Sequence, residues 1–245
     1  MKKIVWIDVG VHFGQEYKSI FSSNTHFLWK LFRRCVGSYL LKKGSFFTAE
    51  ELINLLKLRS KIREQRGKFY VVFVEANPKI IVSKKIFLEA EAVFNIALTG
   101  RGVEKLSIIK LFLADGDLLS QGNSIYESKG NISSKQHIST IGVESLAFMK
   151  ELRKDLDKKF DTYEVILRLN CEGVEDDVIY AAKEVFNENL KLVCGSLKDV
   201  RGIKGEEAHI KLMEFLKSQK IENVFFSPSV LSWPLAFQSI MRLIK

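Results

Sequence analysis

Short apolar runs take turns along this chain with longer stretches whose apolar residues stand three or four apart, the pattern of strands alternating with helices. Val5–Asp8 reads as a short buried strand ending on a carboxylate. Residues 25–43 predict a helix, with Phe27, Leu28, Leu31, Phe32 and Cys35 at helical spacing. TAEELINLLKLRSKIREQRG predicts a second: Thr48 and Glu51 make a capping box, and Gly67 ends it. Phe69–Glu75 is a continuous apolar run, as expected of a strand buried on both faces, and Pro78 opens the next helix.

AVFNIA (92–97) predicts a third strand and LSIIKLFLA (106–114) a strand with partial alternation, followed by the polar loop GDLLSQGNS. A helix is expected over IGVESLAFMKELRKDL (141–156), and YEVILRLN (163–170) reads as a fourth core strand. Then come a helix over DDVIYAAKEVFNEN, a strand LKLVCGS, a helix EEAHIKLMEFLKSQK and a short strand VFFSP. PLAFQSIMRLIK predicts an amphipathic final helix that packs on the core rather than lying on a membrane. Alternation of this kind implies an α/β fold, a mostly parallel, doubly wound sheet with helices on both faces. No internal repeat or low-complexity tract interrupts it, so residues 1–245 read as one domain.

Composition narrows the picture. At 245 residues and 47% hydrophobic content the chain can bury a sizeable core. Cys35, Cys171 and Cys194 are odd in number and contain no CxxC pair, which points away from a disulfide framework and towards a reduced, cytoplasmic setting. The apolar run after MKK stops at Asp8, too soon for a signal peptide, and no apolar stretch has the length of a membrane span. The net charge of +9 is unevenly spread: residues 16–68 hold 12 Lys and Arg against 4 Asp and Glu, or +8. This segment is longer than a simple crossover requires, so a basic helical insertion after the first strand is expected, able to attract phosphate groups.

Candidate chemistry lies at the strand ends. VWIDVGVHFGQE carries Asp8, Gly10, His12 and Gly14. Gly10 allows a tight turn and close backbone approach, and Gly14 lets a helix start beside a ligand. The spacing D-x-G-x-x-x-G is not the GxGxxG of dinucleotide sites. A carboxylate at the strand tip would repel pyrophosphate and suit a cationic ligand. Glu75, ending the second strand, can accept the two hydroxyls of a ribose. Together they suggest S-adenosylmethionine, with Asn95–Ala97 at the third strand's end beside the adenine. His26, His137 and His209 have no partners at metal-ligand spacing, so no metal is expected.

Four blocks of the chain resemble the FkbM-type methyltransferase family. VWIDVGVHFGQE is similar to its v-D-v-G-A-N-x-G-q element, FVEANP to FEPNP, NIALTG to n-v-A-l-s-d, and ILRLNCEGVEDDVI to l-l-K-i-D-v-E-G-a-E-x-x-v-L. The resemblance runs in order from residue 4 to about 180. It implies a Rossmann-like methyltransferase fold and S-adenosylmethionine-dependent O-methylation of a hydroxyl on a sugar, glycan or small metabolite. It implies that Asp8, Gly10, Gly14, Glu75 and Asn95–Ala97 line the cofactor, and it places Asn170, Glu172 and Glu175 on the family's D-x-E-G-x-E. His12 stands for asparagine, Ala76 for proline, Arg168 for lysine and Asn170 for aspartate. Glu172 and His12 are the two candidate bases for the acceptor proton, and Asn170 can orient the acceptor hydroxyl. Two other readings stay open. One is a nucleic-acid methyltransferase, prompted by the basic segment although no N/D-P-P-Y/F motif is present. The other is a non-catalytic binding module, prompted by His12 and Asn170.

Overall fold

A computed structural model describes residues 2–25, 27–29, 31–32, 48–102, 104–114, 117–120, 122–130, 132, 136–195, 197–224 and 232–245. The expected strand at the start is β1 (Lys3–Val9), followed at once by α1 (Gln15–Phe21). The capping box opens α2 (Ala49–Glu64): Glu51 N–H donates to Thr48 Oγ1 at 3.2 Å, and Thr48 N–H donates to Glu51 Oε2 at 2.7 Å. β2 (Phe69–Val74) leads into α3 (Pro78–Ser83), capped by the Asn77 side chain. Then come β3 (Ala92–Phe94), β4 (Ala97–Thr99), β5 (Leu106–Phe112) and β6 (His137–Glu144). The chain continues through α4 (Ser145–Lys159), β7 (Tyr163–Leu169), α5 (Glu175–Phe186) and β8 (Leu190–Gly195). It closes with α6 (Lys198–Lys204), α7 (Glu206–Ser218), β9 (Glu222–Val224) and α8 (Ser232–Ile244).

Six strands form one sheet in the order β3-β2-β1-β7-β8-β9, every neighbouring pair parallel. Counted within this sheet alone, the order is 3-2-1-4-5-6, that of a doubly wound, Rossmann-like sheet. Strand residues alternate between the two faces. Val5, Ile7, Val165 and Leu167 pack beneath α4 and α5; Ile4, Trp6 and Ile166 pack beneath α1, α2 and α8. The final helix buries Trp233, Phe237 and Ile240, as expected of a core-packing element. No helix among the described residues is long and apolar enough to cross a membrane.

The middle of the chain departs from expectation. The stretch 92–97 is not one strand: it breaks after Phe94, and β4 joins a second, three-stranded sheet ordered β4-β6-β5. Within it β5 runs antiparallel to β6. Residues 141–144 belong to β6 rather than to the following helix, which starts at Ser145, because His137–Glu144 alternates in burial with a period of two. The helix α6 went unforeseen, with Gly202 in its interior. Of VFFSP only Val224 lies in a described strand; the rest, like Cys35 and most of the helix expected over 25–43, falls outside the described residues.

The helix α2 packs into the core. Leu55, Arg59 and Ile62 are buried in the second core layer. Arg59 reaches the carboxyl end of α1, donating from Nε to Ser19 O at 2.7 Å and from Nη2 to Ser22 O, with its guanidinium 4.6 Å over the Phe27 ring. A cation on the last carbonyls of a helix complements its dipole. Burial lowers the Arg59 pKa to about 10, which leaves it charged at neutral pH.

At the centre of the large sheet, Asp8 and Arg168 are register partners on β1 and β7. Both are buried. Arg168 Nη1 lies 2.8 Å from Asp8 Oδ1 and donates to Gly10 O at 2.7 Å; Nη2 lies 2.5 Å from Glu16 Oε2 on α1. Burial alone would pull the Arg168 pKa down, but Asp8 and Glu16 beside it hold the guanidinium above its ordinary range. Removing one partner of such a pair leaves an uncompensated charge, which costs about 3–5 kcal/mol. We expect Arg168→Met to lower unfolding free energy by about that amount, and Asp8→Asn/Arg168→Met to recover much of it. Urea unfolding followed by circular dichroism measures both; equal loss in single and double variants would refute the coupling.

Candidate functional site

In sheets of this order ligands bind beyond the carboxyl ends of the strands, where the order reverses. Here that point lies between β1 and β7, and a cavity opens there. It encloses about 790 Å³ of empty space, open mouth included. Its lining includes Gly10 and His12 from the β1–α1 turn, Glu16 from α1, Glu75–Asn77 after β2, Ile96–Leu98 after β3, and Asn170–Glu172 after β7.

The turn after β1 has a geometric reason for glycine. Gly10 sits at φ 73°, its N–H donates to Val74 O at 2.9 Å, and a Cβ there would stand 2.1 Å from Asn170 O. Only a residue without a side chain lets the β1 and β7 loops cross so closely. Gly14 also has a left-handed backbone, but a Cβ there would meet Ile86 Cγ1 at 2.7 Å. It is therefore required by packing, and among the cavity's lining residues it has no place.

Asp8 too stands apart from the cavity wall. Its carboxylate, expected to meet a ligand cation, is fully buried and held by Arg168, with Trp6 Nε1 donating at 3.4 Å. Asn95, expected beside the adenine, is exposed and donates from Nδ2 to Glu75 O at 2.8 Å and Ala76 O at 3.2 Å, clamping the loop after β2. Glu75, Ala76, Ala97, His12, Asn170 and Glu172 are brought together on the cavity wall.

Glu75 is set by backbone amides. Its Oε2 accepts from His12 N–H at 2.8 Å and its Oε1 from Asn77 N–H at 2.9 Å. Burial raises its pKa, and these two donors pull it back towards the charged form. Each oxygen keeps a lone pair for a further donor.

The polar loop after β5 lies over the mouth. His12 Nε2 is 3.2 Å from both Leu119 O and Ser120 O, so it carries the proton and donates. Nδ1 is then the unprotonated nitrogen; it is buried and has no hydrogen-bond partner among the described residues. Burial lowers the His12 pKa against the pull of these carbonyls, which favours the neutral ring. Asn77 Nδ2 donates to Leu118 O, and Ser124 Oγ donates to Glu172 O at 2.7 Å. Lys129 pairs with Glu172. Burial raises the Glu172 pKa while Lys129 opposes it. Glu172 is thus paired, whereas of the two candidate bases His12 keeps an unengaged nitrogen, Nδ1.

Taken together, Asp8, Glu16, Glu75 and Glu172 face two cations, Arg168 and Lys129. Burial raises the pKa of Asp8, Glu75 and Glu172, so the surplus is one of carboxyl groups rather than of fixed negative charge. No group of three or more potential metal-ligating side chains occurs among the described residues. Sequence reasoning missed Lys129, Ser124 and the pairing role of Arg168. Arg168 carried a readable signal, a lone cation in the apolar run YEVILRLN that must find a partner once buried. Arg33 and Arg34, basic residues of the segment expected to attract phosphate, fall outside the described residues. Comparison of the chain with protein-family models, curated proteins and solved structures returned no match.

Below the cavity, Glu175 opens α5 by turning back on its own loop. Its carboxylate accepts from Cys171 N–H at 3.0 Å and Gly173 N–H at 2.8 Å. Burial raises its pKa to about 7 despite these donors. A carboxyl raised in the folded state contributes stability that is complete below the unfolded value near 4.5 and is lost as pH rises through 7. Between pH 5 and pH 8 we expect wild type to lose roughly 2 kcal/mol relative to Glu175→Gln. Urea midpoints at the two pH values check this, and a constant difference would refute it.

Proposed function

We propose that this chain is an S-adenosylmethionine-dependent methyltransferase acting on a hydroxyl of a sugar, glycan or small metabolite. The observation that carries the reading is the meeting of Glu75 and the Gly10 turn on one cavity at the reversal of strand order, with carboxyl groups in excess over cations. The resemblance of four sequence blocks to FkbM-type methyltransferases supports it. The free thiols of Cys171 and Cys194 support a reducing, cytoplasmic setting.

The residues present suit the cofactor. Glu75 would accept the ribose hydroxyls with the lone pairs its backbone donors leave free. Ile96, Ala97 and Leu98 form an apolar wall for the adenine. Glu16, with Asp8 beneath it, favours the sulfonium and ammonium groups. When bound, S-adenosylmethionine supplies a methyl group already activated for displacement, so alignment with the acceptor is the protein's main task. Asn170 would orient the acceptor hydroxyl, and Glu172 would take its proton once Lys129 releases it. The +8 segment over 16–68 favours an acceptor that bears phosphate, held outside the carboxylate-rich cavity.

A second reading rests on the pairing of Glu172 with Lys129: a module that binds the cofactor without turning it over. Labelled-methyl transfer into an extract of small metabolites and glycans separates the two, since incorporation requires turnover. Calorimetric titration with S-adenosylmethionine and S-adenosylhomocysteine tests what they share. We expect micromolar binding, weakened at least tenfold, or about 1.4 kcal/mol, by Glu75→Ala and less by Glu75→Gln. A folded wild type that binds neither ligand, or a Glu75→Ala variant that binds as well as wild type, would overturn the cofactor assignment.

A further inference from the structure

Among the described residues the small sheet ends in β5, whose outer edge is paired at Phe112 and open along Leu106–Lys110. Just beyond the two ends of β5, Lys105 O accepts from Glu144 N–H and Leu113 N–H donates to Gln136 O, so odd-numbered residues turn their backbone groups inward to β6. Even-numbered residues turn theirs outward. Phe112 uses that edge, exchanging both backbone bonds with Ser124 at 2.8 and 3.1 Å. Among the described residues Leu106, Ile108 and Lys110 have no such partner, and their N–H and C=O groups form an open ladder.

Their side chains share one exposed face. Leu106 is 67% exposed and Ile108 83%. On β6 they lie opposite Val143 and Ile141, the latter 49% exposed. Four aliphatic side chains in a two-by-two block on an open strand are costly to leave in water. The charges beside them are Glu104 on one side and Lys110 on the other, both exposed and neither in a salt bridge among the described residues.

We propose that this edge pairs with β5 of a second copy of the chain, antiparallel about a two-fold axis through Ser107. That register sets Leu106 against Ile108 of the partner subunit and Glu104 against Lys110 of the partner subunit, twice over. Both strands contribute outward-facing backbone groups at these pairs, so the ladder closes. Shifting the register by two residues one way sets Lys110 against Leu106 and brings Glu104 to Phe112, whose edge Ser124 already occupies, and the other way sets Glu104 against Ile108 and Lys110 against Gly102. The strand is therefore self-complementary in backbone, shape and charge at one register, as an isologous contact requires. The joined sheets carry two rows of four aliphatic residues across the axis. Short strand pairing buries less than a standard interface, so the dimer forms at high micromolar rather than nanomolar concentration.

Sedimentation velocity of the full chain from low to high micromolar concentration is the test, with hydrogen exchange of the β5 amides alongside. We expect a monomer–dimer equilibrium, with exchange at Leu106, Ile108 and Lys110 slowing as the dimer forms. Ile108→Asp and Lys110→Glu should each weaken association at least tenfold while leaving the far-ultraviolet circular dichroism unchanged. Glu104→Lys/Lys110→Glu should restore it, because the swapped charges meet again across the axis. A monomer at every concentration overturns the proposal. So does a dimer that tolerates both single variants, or one that the double variant fails to restore.

Discussion

Arg168 is the residue around which the centre of this molecule is arranged. A guanidinium in an otherwise apolar strand would be intolerable without partners. It finds three anionic or carbonyl groups within one fork: Asp8 beside it on β1, Gly10 O at the turn and Glu16 on the first helix. One side chain thus ties together the strand that starts the fold, the loop that leaves it and the helix that follows. A lysine, with a single nitrogen, could not span these positions with the same geometry. Asp8 in turn requires Arg168, since a carboxylate fully withdrawn from water keeps its charge only beside a cation.

This arrangement explains which parts of the molecule were legible in sequence and which were not. Strands β1, β2, β7 and β8 are buried on both faces, so their runs of Val, Ile, Leu and Phe stand out without knowledge of neighbours. The box at Thr48 and the Pro78 start are local signals that depend on a few adjacent residues. What stayed hidden depends on distant parts of the chain. Residues 92–97 look like one strand, and only pairing with β6 divides them between two sheets. The β6 strand has one exposed face, and its last residues run straight into α4 with no glycine or proline between them.

The site divides the same way. Glu75 could be placed at a strand end because the strand itself was evident, and it lines the cavity. Gly10 could be marked as a close-approach position, though nothing in the sequence says that the approaching group is Asn170 O. Asp8 and Gly14 belong to the same motif but do not line the cavity: Asp8 is held by Arg168, and Gly14 packs against Ile86. The loop carbonyls of Leu119 and Ser120 reach His12 from more than a hundred residues away, a distance at which only folding can supply the contact.

The surplus of carboxyl groups in the cavity has a consequence at longer range. The molecule as a whole carries +9, so at low ionic strength its outer field draws anions from many ångströms away. Physiological salt shortens that reach to about 8 Å, less than the breadth of the domain. The cavity wall instead carries the carboxyl groups of Glu16, Glu75 and Glu172 beside the single guanidinium of Arg168. A solute that is negative at one end and positive at the other is drawn in by its anionic end and admitted by its cationic one. Added salt should therefore slow the capture of such a solute more than it loosens the solute once held.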